Sequence, residues 1–97
     1  MTALDLRIEY RFATGLAPTY GRDGWGHNYR DGLTYDYARW IESQFMNKSM
    51  AWNFQRDTGQ KATYVNKYGD VSYVKAYKEW LEEEFINLYN KIFNGTY

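Results

Sequence analysis

Leu4-Asp5-Leu6-Arg7-Ile8-Glu9-Tyr10-Arg11-Phe12 alternates apolar and charged residues without a break. A period of two is the pattern of a half-buried strand, because successive side chains of a strand point to opposite faces. Wound into a helix, the same apolar residues would spread onto opposite sides. The stretch therefore predicts an N-terminal strand.

A weaker alternation recurs in the second half, where Met50, Trp52 and Phe54 are separated by Ala51 and Asn53. It is read as the equivalent strand, with a helix capped at Thr58-Gly59 as the alternative. Asp57-Thr58-Gly59 supplies a glycine where a short hairpin turn needs one, and Ala62-Thr63-Tyr64-Val65 is β-branched and aromatic enough for a following strand. Asn66 to Asp70 reads as a further glycine-containing turn, followed by a short third strand. From about Ser72 the period changes: Val74, Tyr77, Leu81, Phe85, Leu88 and Ile92 form one helical stripe that ends near Asn94-Gly95. Lys75 with Glu79 and Lys78 with Glu82 stand four apart on its wet side. A matching helix starts at Thr34, an N-cap, and runs to about Met46 with Tyr37, Ala38, Ile41 and Phe45 turned inward.

Two motifs recur in the same order. Thr14-Gly15-Leu16-Ala17-Pro18-Thr19-Tyr20 is echoed 44 positions later by Thr58-Gly59-Gln60-Lys61-Ala62-Thr63-Tyr64, and Tyr37 to Phe45 is echoed 40 positions later by Tyr77 to Phe85 as Y-x-x-W-[I/L]-E-x-x-F. The recurrence predicts a single α+β domain over residues 1–97 made of two tandem hairpin-plus-helix repeats, about 1–46 and 47–97. Their strands would form one small antiparallel sheet covered by two helices.

Composition narrows the function. The chain has 97 residues, 12 basic and 12 acidic residues, no cysteine and one proline. A domain of this length buries about two-thirds of its unfolded surface, enough for one core. Without cysteine there are no disulfides or thiolate sites, which with the absence of a signal-like N-terminus or a membrane-length apolar run points to a soluble, cytoplasmic protein. A balanced charge disfavours general nucleic-acid binding. Eleven tyrosines, five phenylalanines and four tryptophans are more aromatic surface than one small core holds, so some belong to a surface or interface, and a homo-oligomer is one way to cover them.

The two repeats differ in one interval. Arg22-Asp23-Gly24-Trp25-Gly26-His27-Asn28-Tyr29-Arg30-Asp31-Gly32 carries R-D-G twice around Trp25, His27 and Tyr29, whereas the matching interval of the second half is shorter and lacks Trp, His and both arginines. Asp-Gly is a turn signal, so one reading is a pair of tight turns; the other is a partner-binding tip formed by Arg22, Asp23, Trp25, His27, Tyr29, Arg30 and Asp31. All six arginines lie in the first 56 residues, which points to the same half.

Catalysis finds no signature. Ser43, Ser49 and Ser72 occupy no G-x-S-x-G turn, a lone histidine without cysteine makes no zinc set, and the glycines fit no nucleotide-binding fingerprint. Glu82-Glu83-Glu84 reads as a solvated helix face rather than a glycosidase carboxylate pair. No catalytic residue, metal or cofactor is predicted.

The stretch Thr58 to Glu83, with T-G-x-x-A-T-Y, then G-D-V-S-Y, then Y-x-x-W-L-E, resembles short uncharacterised proteins of phage and bacterial genomes. The resemblance implies a small accessory protein of a phage or mobile element that binds and inhibits or modulates a host protein. The expectation is thus a non-enzymatic protein–protein interaction module. A small-ligand site holding a nucleotide or sugar between aromatic faces, and a structural self-associating role, are the alternatives.

Overall fold

A computed structural model describes residues 1–20, 32–45 and 50–93. Among these the order is α1 (Ala3–Thr14), α2 (Tyr35–Gln44), α3 (Met50–Thr58), β1 (Thr63–Val65), β2 (Val71–Tyr73) and α4 (Lys75–Phe93). The class is α+β, but among the described residues α1, α2 and α3 pack against α4 and the sheet is one two-stranded antiparallel hairpin, in which Thr63 pairs with Tyr73 and Val65 with Val71. No helix among the described residues is long and apolar enough to cross a membrane.

The expected N-terminal strand is helix α1. Its local signals outweigh the alternation. Thr2 caps the helix through a reciprocal box with Asp5, and Gly15, at φ 74°, closes it by donating to the Arg11 carbonyl. At about 100° per residue, Leu6 and Tyr10 fall on one side and are buried, while Leu4, Ile8 and Phe12 fall on the other and are exposed. The second expected strand, Met50 to Gln55, is likewise helical, and Thr58-Gly59 is its C-cap, as the alternative reading had it. The two ends are built alike: Thr14 Oγ1 donates to the Tyr10 carbonyl at 2.8 Å, and Thr58 Oγ1 to the Phe54 carbonyl at 2.7 Å. The expected strands β1 and β2 and the N-cap at Thr34 are present; the long C-terminal helix is present too, starting at Lys75 because Ser72 belongs to β2, and its expected end at Asn94-Gly95 lies outside the described residues.

The core is an aromatic cluster at the junction of the halves. Tyr10 meets Tyr37 and Trp40 edge-on at 5.0 and 5.3 Å, and Phe54 meets Tyr77 and Trp80 edge-on at 5.2 and 5.6 Å. Phe45 meets Phe85 edge-on at 5.7 Å. Two carboxylates meet this shell, Glu82 buried and Glu42 half-buried at its edge. Tyr37 Oη donates to Glu82 at 2.7 Å and Tyr77 Oη donates to Glu42 at 2.5 Å, so each Y-x-x-W-[I/L]-E segment supplies the hydroxyl that the other's glutamate accepts. Glu82 also accepts two bonds at 2.8 Å from the Arg7 guanidinium, and Glu42 a second bond, at 2.9 Å, from Tyr73 Oη. The expected wet-side pairing of Lys78 with Glu82 is therefore corrected. Both are buried, and Glu82 faces Arg7 across the helix packing, whereas Lys75 and Glu79 do form the expected exposed pair at 3.9 Å. The apolar stripe of α4 holds the core through Tyr77 and Leu81; beyond Phe85 one side of the helix stays covered, with Asn90 bonded to the Met1 ammonium at 2.7 Å, while Leu88 and Ile92 are exposed.

One polar atom in this core has no partner among the described residues: the hydroxyl of Tyr10. Thr14, the nearest hydroxyl in sequence, is committed to the backbone carbonyl of Tyr10 itself. A buried unpaired hydroxyl costs about 1–3 kcal/mol, and Phe54, in the same aromatic environment in the other half, has none. Tyr10→Phe is expected to raise stability by about 1 kcal/mol, measured as a higher urea midpoint at unchanged slope. A loss of stability would show that the hydroxyl is bonded.

Candidate interaction surface

The predicted tip residues Arg22, Asp23, Trp25, His27, Tyr29, Arg30 and Asp31 lie outside the described residues. What the structure gives is the base from which that stretch departs. Thr19 and Leu33 form an antiparallel bridge, Tyr20 N–H donates to the Gly32 carbonyl at 3.0 Å, and Thr34 N–H donates to the Pro18 carbonyl at 2.9 Å. Pro18 and Leu33 are buried beneath it. The ammonium of Lys78 stands 5.3 Å from the Tyr20 ring. Burial pushes the Lys78 pKa down, with Glu79 pulling against it.

The second half has a base of the same form, and there the excursion is described. Thr63 pairs with Tyr73, Val74 N–H donates to the Ala62 carbonyl at 2.9 Å, and Ala62 and Tyr73 are buried. From this base β1 and β2 project as a hairpin. Asn66 organises its tip: the side-chain oxygen accepts from the Tyr68 and Asp70 amides at 2.9 and 3.1 Å, while its backbone pairs with Asp70 and Gly69. Gly69, at φ 85°, supplies the left-handed residue that the turn requires. Tyr64, Val65, Tyr68 and Val71 are all exposed, Tyr68 at 76%, with Lys67 lying 5.1 Å from its ring. These four side chains belong to no core; Val65 and Val71 are partners across the ribbon, and Tyr64, next to Val65, falls on its other face.

Two further patches stand on the helices. On α3, Trp52 is 62% exposed and carries the Arg56 guanidinium 5.1 Å from its ring, a pairing of residue types that dominate interface hot spots. On α1, Leu4, Ile8 and Phe12 form an uncovered apolar row at i, i+4 and i+8, continued by Leu16 after the cap. A groove of about 430 Å³ is lined there by Ile8, Arg11, Phe12 and Gly15. A second groove, about 350 Å³, lies by Arg39, Glu42, Ser43 and Phe45. The Trp52–Arg56 pair and the α1 row are hidden in the sequence because the alternation of both stretches has the period of a strand. The i, i+4, i+8 spacing of Leu4, Ile8 and Phe12 was the signal that would have found the row.

Among the described residues no group of three or more His, Cys, Asp or Glu side chains could hold a metal ion. Comparison with protein-family models, with curated proteins and with solved structures finds no match to this chain.

Proposed function

We propose that the chain is a non-enzymatic protein-interaction module, a small accessory protein of a phage or mobile element that binds and modulates a host protein. The observation that carries this reading is the hairpin β1–β2. Tyr64, Val65, Tyr68 and Val71 are presented to solvent on a turn held by Asn66, where they contribute nothing to the core. Large apolar side chains left exposed close together on one hairpin mark a contact surface. The two halves are read as copies of one unit, helix, turn, paired segments and helix. The matched caps at Thr14 and Thr58, the matched bases at Thr19–Leu33 and Thr63–Tyr73, and the exchanged Tyr–Glu bonds support that reading. On it, the stretch with Arg22, Trp25, Tyr29 and Arg30 stands in sequence where the hairpin stands in the other half, and both are binding segments.

The test compares two triple variants, Tyr64→Ala/Val65→Ser/Tyr68→Ala and Trp25→Ala/Tyr29→Ala/Arg30→Ala, as immobilised baits in a bacterial lysate. A protein retained by the parent chain and lost by either variant, with thermal melting within a few degrees of the parent, is the expected result. Capture unaffected by both sets would overturn the assignment of the tips.

A further inference from the structure

The glutamates of the two Y-x-x-W-[I/L]-E segments are closed differently. Glu82 accepts two bonds from the Arg7 guanidinium at 2.8 Å and one from Tyr37 at 2.7 Å, so its charge is answered within the fold. Glu42 accepts from two neutral hydroxyls, Tyr73 on Oε1 at 2.9 Å and Tyr77 on Oε2 at 2.5 Å. Local sequence explains the difference. Arg7 stands three residues before Tyr10, the ring that packs on Tyr37 and Trp40; three residues before Phe54, which packs likewise on Tyr77 and Trp80, stands Ala51, too short to reach a carboxylate. Ion pairs among the described residues join Arg7 to Glu82, Arg56 to Asp57 and Lys75 to Glu79, and none of them reaches Glu42.

Arg39, three residues earlier on α2, is exposed and lies against the Tyr73 hydroxyl, which itself donates to Glu42. A neutral phenol therefore stands between a guanidinium and a carboxylate that form no direct pair. Both line the groove of about 350 Å³, with Ser43 and the half-buried Phe45 beside them. That volume falls at the small end of the range for small-molecule sites. Each Glu42 oxygen keeps a lone pair for a further N–H donor, and the Arg39 fork has donors beyond the one facing Tyr73. A lone anion would meet Glu42 and a lone cation Arg39, so the groove favours a ligand that carries both charges close together. Side chains at i and i+3 of a helix stand about 5–6 Å apart at Cβ, a spacing that an ammonium and a carboxylate on one carbon can bridge. Phe45, packed edge-on against Phe85 at 5.7 Å, offers an apolar wall for what the same carbon bears.

We infer that this groove binds a free α-amino acid, with its ammonium on Glu42, its carboxylate on Arg39 and its side chain along Phe45. The proteinogenic amino acids, titrated singly into the full chain, test this by calorimetry and by thermal melting. One with an apolar or aromatic side chain is expected to release or absorb heat saturably and to raise the melting temperature by mass action. Its N-acetyl derivative, which lacks the ammonium, and its amide, which lacks the carboxylate, are each expected to bind at least about tenfold more weakly, the loss of one charge-assisted bond. Arg39→Ala, at an exposed position, and Ser43→Phe, which fills the groove, are expected to weaken binding as much with an unchanged helical circular-dichroism spectrum. Glu42→Gln keeps an acceptor for both tyrosines and removes only the charge, and it is expected to weaken the amino acid but not its N-acetyl derivative. Silence across the whole set of amino acids overturns the inference, as does binding indifferent to N-acetylation and to Arg39→Ala.

Discussion

Replacing Glu82 with alanine is expected to remove about 3 kcal/mol of stability, the lower end of the ~3–5 kcal/mol lost when one partner of a buried ion pair is deleted. The lower end applies because Arg7 keeps about a third of its side chain in solvent and recovers hydration when its carboxylate goes. Tyr37 does not recover: it is fully buried, and its hydroxyl would be left without an acceptor. Against the ~5–15 kcal/mol that holds a typical domain, this is a large fraction, and at ~4–8 °C per kcal/mol for a chain of this size the melting temperature should fall by more than about 12 °C. Glu82→Gln keeps an acceptor for Tyr37 but loses the charge opposite Arg7, so its loss should be intermediate. Tyr37→Phe removes only the donor and should cost about 1 kcal/mol. The double variant Tyr37→Phe/Glu82→Ala should cost less than the sum of the single changes, since the orphaned hydroxyl is gone. Strict additivity in that cycle would mean that the Tyr37–Glu82 bond contributes nothing.

Raising the pH above about 10, the ordinary tyrosine pKa, is expected to unfold the chain through the same hydroxyls. Burial, and then the glutamate beside each, pushes the pKa of Tyr37 and Tyr77 well up, and that of Tyr73 up to about 12. A phenol whose folded pKa lies above its unfolded value binds its proton more tightly when folded. The stabilisation is therefore complete below about pH 10 and drains away as the pH climbs through the folded pKa, because the unfolded chain ionises first. Phenolate absorbance and far-ultraviolet circular dichroism, followed together, check this: Tyr37, Tyr73 and Tyr77 should ionise only as helix is lost. Titration of these three with helicity intact would contradict this reading.

The helices α2 and α4 were legible because their apolar residues fall on a single side. One burial pattern then matches one period, and Thr34 marks the start. The hairpin was legible from Asn66, Gly69 and the β-branched residues around them. In α1 the sequence carries two apolar sides, Leu6 with Tyr10 and Leu4 with Ile8 and Phe12, and two stripes on opposite sides of a helix are indistinguishable by alternation from one side of a strand. The caps Thr2–Asp5 and Thr14–Gly15 distinguish them, since a strand has no use for either. The burial of Glu82 was hidden for another reason: three consecutive glutamates look alike in sequence, and only the neighbouring helix tells one from the next. The proposed interaction surface was half visible. Its aromatic excess was evident from composition, but the placement of Trp52 beside Arg56 depends on a helix that the alternation concealed.

The exchanged hydroxyls also order events at the ribosome. Tyr37 Oη finds its acceptor 45 residues further along the chain, and Glu42 finds its donor Tyr77 35 residues further along. While only the first half has emerged, α2 can wind and α1 can lie against it, yet a carboxylate and a phenol inside the future core still face water for want of partners not yet made. Neither bond can form until Tyr77 and Glu82 have been added to the chain, so the two halves cannot complete their polar contacts independently of one another.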